Sequence, residues 1–103
     1  MAKKPLTLTI VIPAYNEQDY LPACLDSVAA QSVMPAEVIV VDNNSTDETV
    51  KIAESYRFVK VLKEGKQGVF FAARKGFRAA SGDIIGRIDP DTLLAEAKVC
   101  TLG

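Results

Sequence analysis

The sequence predicts an α/β layered domain, with a parallel sheet covered by helices on its faces. Three observations carry this reading. Short β-branched apolar runs alternate with stretches whose apolar residues fall at helical spacing, in the order β-α-β-α-β-α-β. That alternation implies parallel crossover connections. The 103 residues suffice for one small domain with a real core, and the apolar and charged shares are those of ordinary globular chains.

The first strand is "LTLTIVI", Leu6 to Ile12, stopped by Pro13. A helix follows, with Tyr20, Leu21, Cys24, Leu25 and Val28 at helical spacing and Pro22 tolerated in its first turn. "EVIVVD", Glu37 to Asp42, is the second buried strand. "STDETVKIAESY" opens with Ser45 and Glu48 in capping-box spacing and offers Val50, Ile52, Ala53 and Tyr56 as an apolar face. "FVKVL" is a shorter third strand. A glycine-punctuated turn then leads into a helix ending near Gly82, with Val69, Ala72, Ala73 and Phe77 on its inner face. "DIIGRI", Asp83 to Ile88, is the fourth strand, ended by "DPDT". No linker, internal repeat or low-complexity segment divides the chain, so residues 1–103 read as a single domain, with 93–103 an uninformative tail.

Composition narrows the chemistry. A net charge of −1 gives no sign of a nucleic-acid surface. Histidine is absent, which removes the commonest general base and zinc ligand. Cys24 and Cys100 are isolated, with no C-x-x-C, and Cys24 reads as a buried thiol in a reducing, cytoplasmic compartment or at the cytoplasmic face of a membrane. Two lysines before an apolar run resemble a signal peptide, but alternating threonines and Pro13 argue for a strand. No run approaches the ~20 apolar residues of a membrane span.

Three polar clusters directly follow strands: Ala14 to Glu17, Asp42 to Asp47, and Asp89 to Asp91. Open parallel sheets bind ligands beyond the carboxyl ends of their strands, so these clusters converge on one rim. In an extended Asp89-Pro90-Asp91 segment, residues i and i+2 point the same way, and both carboxylates can face one hard cation such as Mg²⁺. The same residues also suit a helix start, with Asp89 as cap and Pro90 in the first position. Asp42 can accept hydrogen bonds from a nucleoside, or be a solvated turn carboxylate in "DNNSTD". Lys66 or Arg74 can neutralise a diphosphate, whereas Lys75 and Arg78 fit an exposed helix face. Tyr15 can stack on a base or pack over the strand end.

Rival motifs are missing. A dinucleotide-binding domain requires G-x-G-x-x-G after the first strand, where this chain has "PAYNEQ". No G-x-x-x-x-G-K-[ST] occurs, nor the glycine-rich first loop of a sugar nucleotidyltransferase.

Four segments in order, "TIVIPAYNEQDYLPACLDSVAAQS", "EVIVVDNNSTDET", "GVFFAARKGFRAASGDIIGR" and "IDPDT", resemble the N-terminal, nucleotide-binding half of family 2 glycosyltransferases. The resemblance covers Leu6 to about Thr92. It implies a three-layer Rossmann-like sheet of order 3-2-1-4, the N-terminal half of the GT-A fold. It places Pro13, Ala14, Tyr15 and Glu17 against a nucleotide, Asp42 at the base, and Arg74 near the nucleotide. Asp89 and Asp91 match the D-x-D motif, Asp89 toward ribose or metal and Asp91 as ligand of Mn²⁺ or Mg²⁺. Lys75 stands where the family often has asparagine. The implied chemistry is inverting transfer from a UDP- or GDP-sugar. The family's general base lies in a C-terminal half that this sequence does not reach, so no catalytic residue is assigned and the 103-residue chain is expected to bind nucleotide weakly and transfer no sugar. The alternative is a non-catalytic nucleotide-binding or interaction module on the same fold. The expected order leaves the fourth strand at an edge, which predicts self-association through Asp83 to Ile88.

Overall fold

A computed structural model describes residues 6–91 of the chain. Strand β1 (Leu8–Ala14) leads to helix α1 (Leu21–Ala29), β2 (Glu37–Asp42), α2 (Thr49–Glu54), β3 (Val59–Lys63), α3 (Val69–Ala79) and β4 (Ile84–Arg87). The four strands form one sheet in the order β3-β2-β1-β4, and all pairs are parallel. Fold class and strand order are as the sequence and the resemblance predict. No helix among the described residues is long and apolar enough to cross a membrane.

The side-chain alternation of the two central strands splits the core into two layers. Ile10, Ile12, Val38 and Val40 face α1 and α2, where they meet Leu21, Cys24, Leu25, Val28 and Ala53. Val11, Ile39 and Val41 face α3 and meet Ala72. Leu21, Leu25 and Val28 are fully buried, each contributing about 1.5–3 kcal/mol relative to exposure. α3 seats closely because Gly76 has no side chain: a Cβ there would overlap Val11 Cγ1 and lie 3.1 Å from Val41 Cγ2.

Several boundaries move for physical reasons. β1 runs two residues past Ile12, through Pro13. Val11 accepts from Ile88 N, so Pro13, two residues on, turns its missing N–H toward a side where β4 has already ended at Arg87. The Ser45 capping box does not form: α2 begins at Thr49, and Ser45 Oγ instead accepts from Asn16 N at 2.9 Å. Asp47 Oδ1 takes the Thr49 N–H at 2.9 Å. Tyr20 precedes the first helical residue and is exposed rather than core. On α3 the inner face is Ala72, Ala73 and Gly76, whereas Val69 and Phe77 are exposed. β4 lies at an edge as expected, with Ile84 and Ile85 about half-exposed. It is only four residues long and carries Arg87, features that discourage edge pairing, and no observation supports the expected self-association.

The amino ends of the strands are tied by paired side chains. Thr9 Oγ1 donates to Glu37 Oε1 at 3.0 Å and accepts from Gly82 N at 2.9 Å. Ser81 donates to the same Glu37 oxygen from its N at 2.9 Å and its Oγ at 3.2 Å. Asp83 Oδ2 accepts from Thr7 N and Oγ1, each at 3.0 Å. These bonds hold both carboxyls below their usual range, led by the Ser81 N–H at Glu37 and the Thr7 N–H at Asp83. They anchor the start of β4 to β1.

Candidate functional site at the carboxyl ends of the strands

At the opposite rim the carboxyl ends of the strands surround a cleft of about 420 Å³. The β1–α1 loop contributes Pro13, Ala14, Tyr15 and Glu17. Asn43 comes from the loop after β2, and Gln67, Val69 and Ala72 from the approach to α3 and its first turns. Asp89, Pro90 and Asp91 follow β4.

The loops are bonded to one another. Asn16, at φ 50°, accepts from Thr46 N at 2.8 Å through its side chain. Glu17 N donates to Thr49 Oγ1 at 2.8 Å, and that hydroxyl donates to Asp47. Asn43 is buried and joins the second loop to the third. Its amide nitrogen donates to the carbonyls of Glu64 and Lys66, both at 2.9 Å, and its oxygen accepts from Gly68 N at 2.8 Å. Asn44, at φ 70°, adds a bond to Gly65 O at 2.9 Å. Asn43 thus has its side-chain capacity filled by protein and acts as a positioning residue.

The cleft concentrates negative charge. The Glu17 carboxyl is pushed up, first by burial and then by the nearby Asp91, Asp47 and Asp89. Asp89 is half-exposed and accepts from Arg87 at 3.1 Å, and Pro90 between the two acids is buried. Cys24 is fully buried, as expected, and its thiol is raised to about 11 by burial and by Asp91. Among the described residues, no group of three or more His, Cys, Asp or Glu side chains is placed to hold a metal ion. Whether Asp89 caps a following helix lies outside the described residues, as do residue 100 and the 93–103 tail.

Asp42 stands apart. It is the last residue of β2, opposite Ala14 in register, and only 4% exposed. Its Oδ2 accepts from Ser45 N at 3.3 Å, while Oδ1 is buried with no partner.

Of the expected nucleotide and metal residues, Pro13, Ala14, Tyr15, Glu17, Asp89 and Asp91 line this one cleft. Asp42 adjoins it without lining it, and Arg74 does not line it. The Arg74 guanidinium lies 5.5 Å from the ring centres of both Phe70 and Phe71, and Lys66 Nζ lies 4.2 Å over Phe71, so both cations sit on aromatic faces. Sequence reasoning missed Asn43, Gln67, Val69 and Ala72 as cleft residues. Asn43 lay within a recognised polar cluster, but its role depends on loops distant in sequence.

Comparison with known proteins agrees with this geometry. The family model described as glycosyl transferase family 2 matches residues 9–102, reaching beyond Thr92. A PGL/p-HBAD biosynthesis glycosyltransferase of Mycobacterium bovis is 37% identical over 95 residues, 86% of this chain and 37% of the relative. The crystal structure of Staphylococcus aureus TarS 1-349 in complex with UDP superposes with a TM-score of 0.86 at 28% identity, covering 94% of this chain and 31% of that one. Glucosyl-3-phosphoglycerate synthase from Mycobacterium tuberculosis, in complex with Mn²⁺, UDP and glucosyl-3-phosphoglycerate, gives 0.73 at 29% identity, covering 82% and 33%. The chain spans 26–37% of the length of these curated relatives. With a family match across nearly all its residues and the corresponding sheet order, this chain belongs to glycosyl transferase family 2.

Proposed function

We propose that this chain is the donor-binding part of a glycosyltransferase and that its rim cleft holds a nucleoside-diphosphate sugar. The observation that carries the reading is the meeting of Glu17, Asp89 and Asp91 in one cleft beside the buried, unpartnered Oδ1 of Asp42. A buried acceptor without a donor costs about 1–3 kcal/mol, and a nucleobase N–H is a donor of the right kind. Tyr15, half-exposed at the cleft, offers a ring face to the same base. The UDP and UDP-GlcNAc complexes of the structural neighbours favour uracil over guanine.

A divalent metal fits the donor set. Asp89 and Asp91 supply hard carboxylate oxygens, and the field that raises Glu17 is one a cation relieves. Diphosphate oxygens would complete the coordination. When bound, Mn²⁺ or Mg²⁺ stabilises the departing diphosphate. The chain's own residues bind and orient the donor: the first loop walls the nucleotide, Asn43 fixes the loops, and Pro90 directs the two acids. Arg74 joins only by leaving the rings of Phe70 and Phe71.

Transfer with inversion at the sugar carbon is proposed only for a protein of the relatives' full length, and no general base or acceptor-binding residue is assigned among residues 6–91. The reduced, buried Cys24 suits a cytoplasmic setting. Calorimetric titration of the chain with UDP, with and without Mn²⁺, tests the reading. Mn²⁺ should tighten UDP binding by roughly tenfold, about 1.4 kcal/mol. Asp89→Ala and Asp91→Ala should each abolish that gain. A gain that survives both substitutions, or no UDP binding under any condition, overturns the assignment.

A further inference from the structure

We propose that the outer face of α3 docks on an anionic lipid surface. The small residues Ala72, Ala73 and Gly76 turn inward and are buried. That leaves Phe70, Arg74, Phe77 and Arg78, at i, i+4, i+7 and i+8, as one outward stripe, with Lys75 beside it. Phe70 is 64% and Phe77 42% exposed, and Arg74, Lys75 and Arg78 are exposed.

Charge complementarity identifies the occupant. Residues 65–82 contain Lys66, Arg74, Lys75 and Arg78 and no acid, leaving eight cations against thirteen acids in the rest of the chain. The ion pairs among the described residues are Lys51–Glu48 and Arg87–Asp89, so none of these four cations is neutralised there. A cationic face bearing exposed aromatic rings matches the boundary of an anionic bilayer, where phosphates meet the cations and the rings enter the acyl margin. Polyanions without an apolar phase would leave Phe70 and Phe77 in water. The inference is independent of the nucleotide reading, although docking would hold the cleft, lined by Val69 and Ala72, within a helix length of the headgroups.

Co-sedimentation with vesicles tests it, comparing neutral phosphatidylcholine with the same lipid containing phosphatidylglycerol. The chain should pellet with anionic vesicles only and be released by high salt. Lys75→Gln/Arg78→Gln should weaken binding by roughly fivefold per charge removed. Phe70→Ser/Phe77→Ser should weaken it as well, with unfolding midpoints showing that both variants fold. Absence of anionic-vesicle binding, equal binding to neutral vesicles, or binding unchanged in the folded variants overturns the proposal. So does tighter retention by single-stranded RNA, or a dimer that the same variants dissolve while vesicle binding is missing.

Discussion

The two ends of the sheet use carboxylates in opposite ways. At the amino ends, one oxygen of Glu37 accepts from Thr9 and Ser81 and one oxygen of Asp83 accepts from Thr7, and both carboxyls are held below their usual pKa. At the carboxyl ends, Glu17 is held above its usual value by burial and by Asp91, Asp47 and Asp89, and Asp42 keeps a buried oxygen without a partner. One group of acids favours the fold and the other opposes it. Binding sites accept such local cost because a ligand can remove it. The same residue type is therefore bonded by its neighbours at one rim and repelled or left unpartnered by them at the other.

The sharpest way to break this contrast is at the amino rim. A Cβ on Gly82 would lie 2.6 Å from Thr9 Oγ1 and 2.8 Å from Thr9 N. Gly82→Ala should destabilise by about 2 kcal/mol, within the range for overpacked sites, and lower the thermal midpoint by roughly 10 °C. Chemical denaturation would register the change, and an unaltered midpoint would show the clamp to be dispensable. A smaller effect is expected from Glu37→Gln, about 1 kcal/mol for the weakened bonds to Thr9 and Ser81. The pH dependence has a definite sign. Because Glu37 and Asp83 have lowered folded pKa values, their contribution is present above the ordinary carboxylate range and disappears as pH falls through the folded values. Glu37→Gln should therefore flatten the acid limb of the stability profile, and an unchanged limb contradicts the assignment. The smallest effect should run the other way. Glu17→Gln removes one charge from the repelling group and should stabilise the ligand-free chain by a few tenths of a kcal/mol at neutral pH, as read by differential scanning calorimetry. A loss of stability would mean that the carboxyl rim carries no repulsion.

Much of this architecture could be read directly from residue order. The β-branched runs and helical spacings identify every element, and β2 has the predicted bounds from Glu37 to Asp42. The convergence of three polar clusters on one rim follows from parallel topology alone. Local rules failed where contacts distant in sequence decide. Ser45 has the spacing of a cap, yet Asn16, 29 residues away, takes its oxygen. Phe77 fits an apolar helical stripe, yet the close approach allowed by Gly76 rotates the packed face onto smaller residues. Arg74 lies in a motif associated with nucleotide, yet two neighbouring phenylalanines offer its guanidinium a nearer partner. Asn43 could be seen as a turn former but not as a junction, because its partners lie beyond β3.

That junction bears on how a ligand would be received. Side chains of Asn16, Asn43 and Asn44, together with Ser45 and Thr49, bond three of the rim's four loops to one another, leaving out the segment of Asp89 and Asp91 after β4. For those three loops, the bonds that hold their arrangement are supplied by the protein itself, which lowers the ordering cost that a ligand would otherwise meet. Not all of the rim is so prepared: the buried Asp42 Oδ1 and the Arg74 guanidinium on its two rings would each have to be uncovered before a ligand could use them.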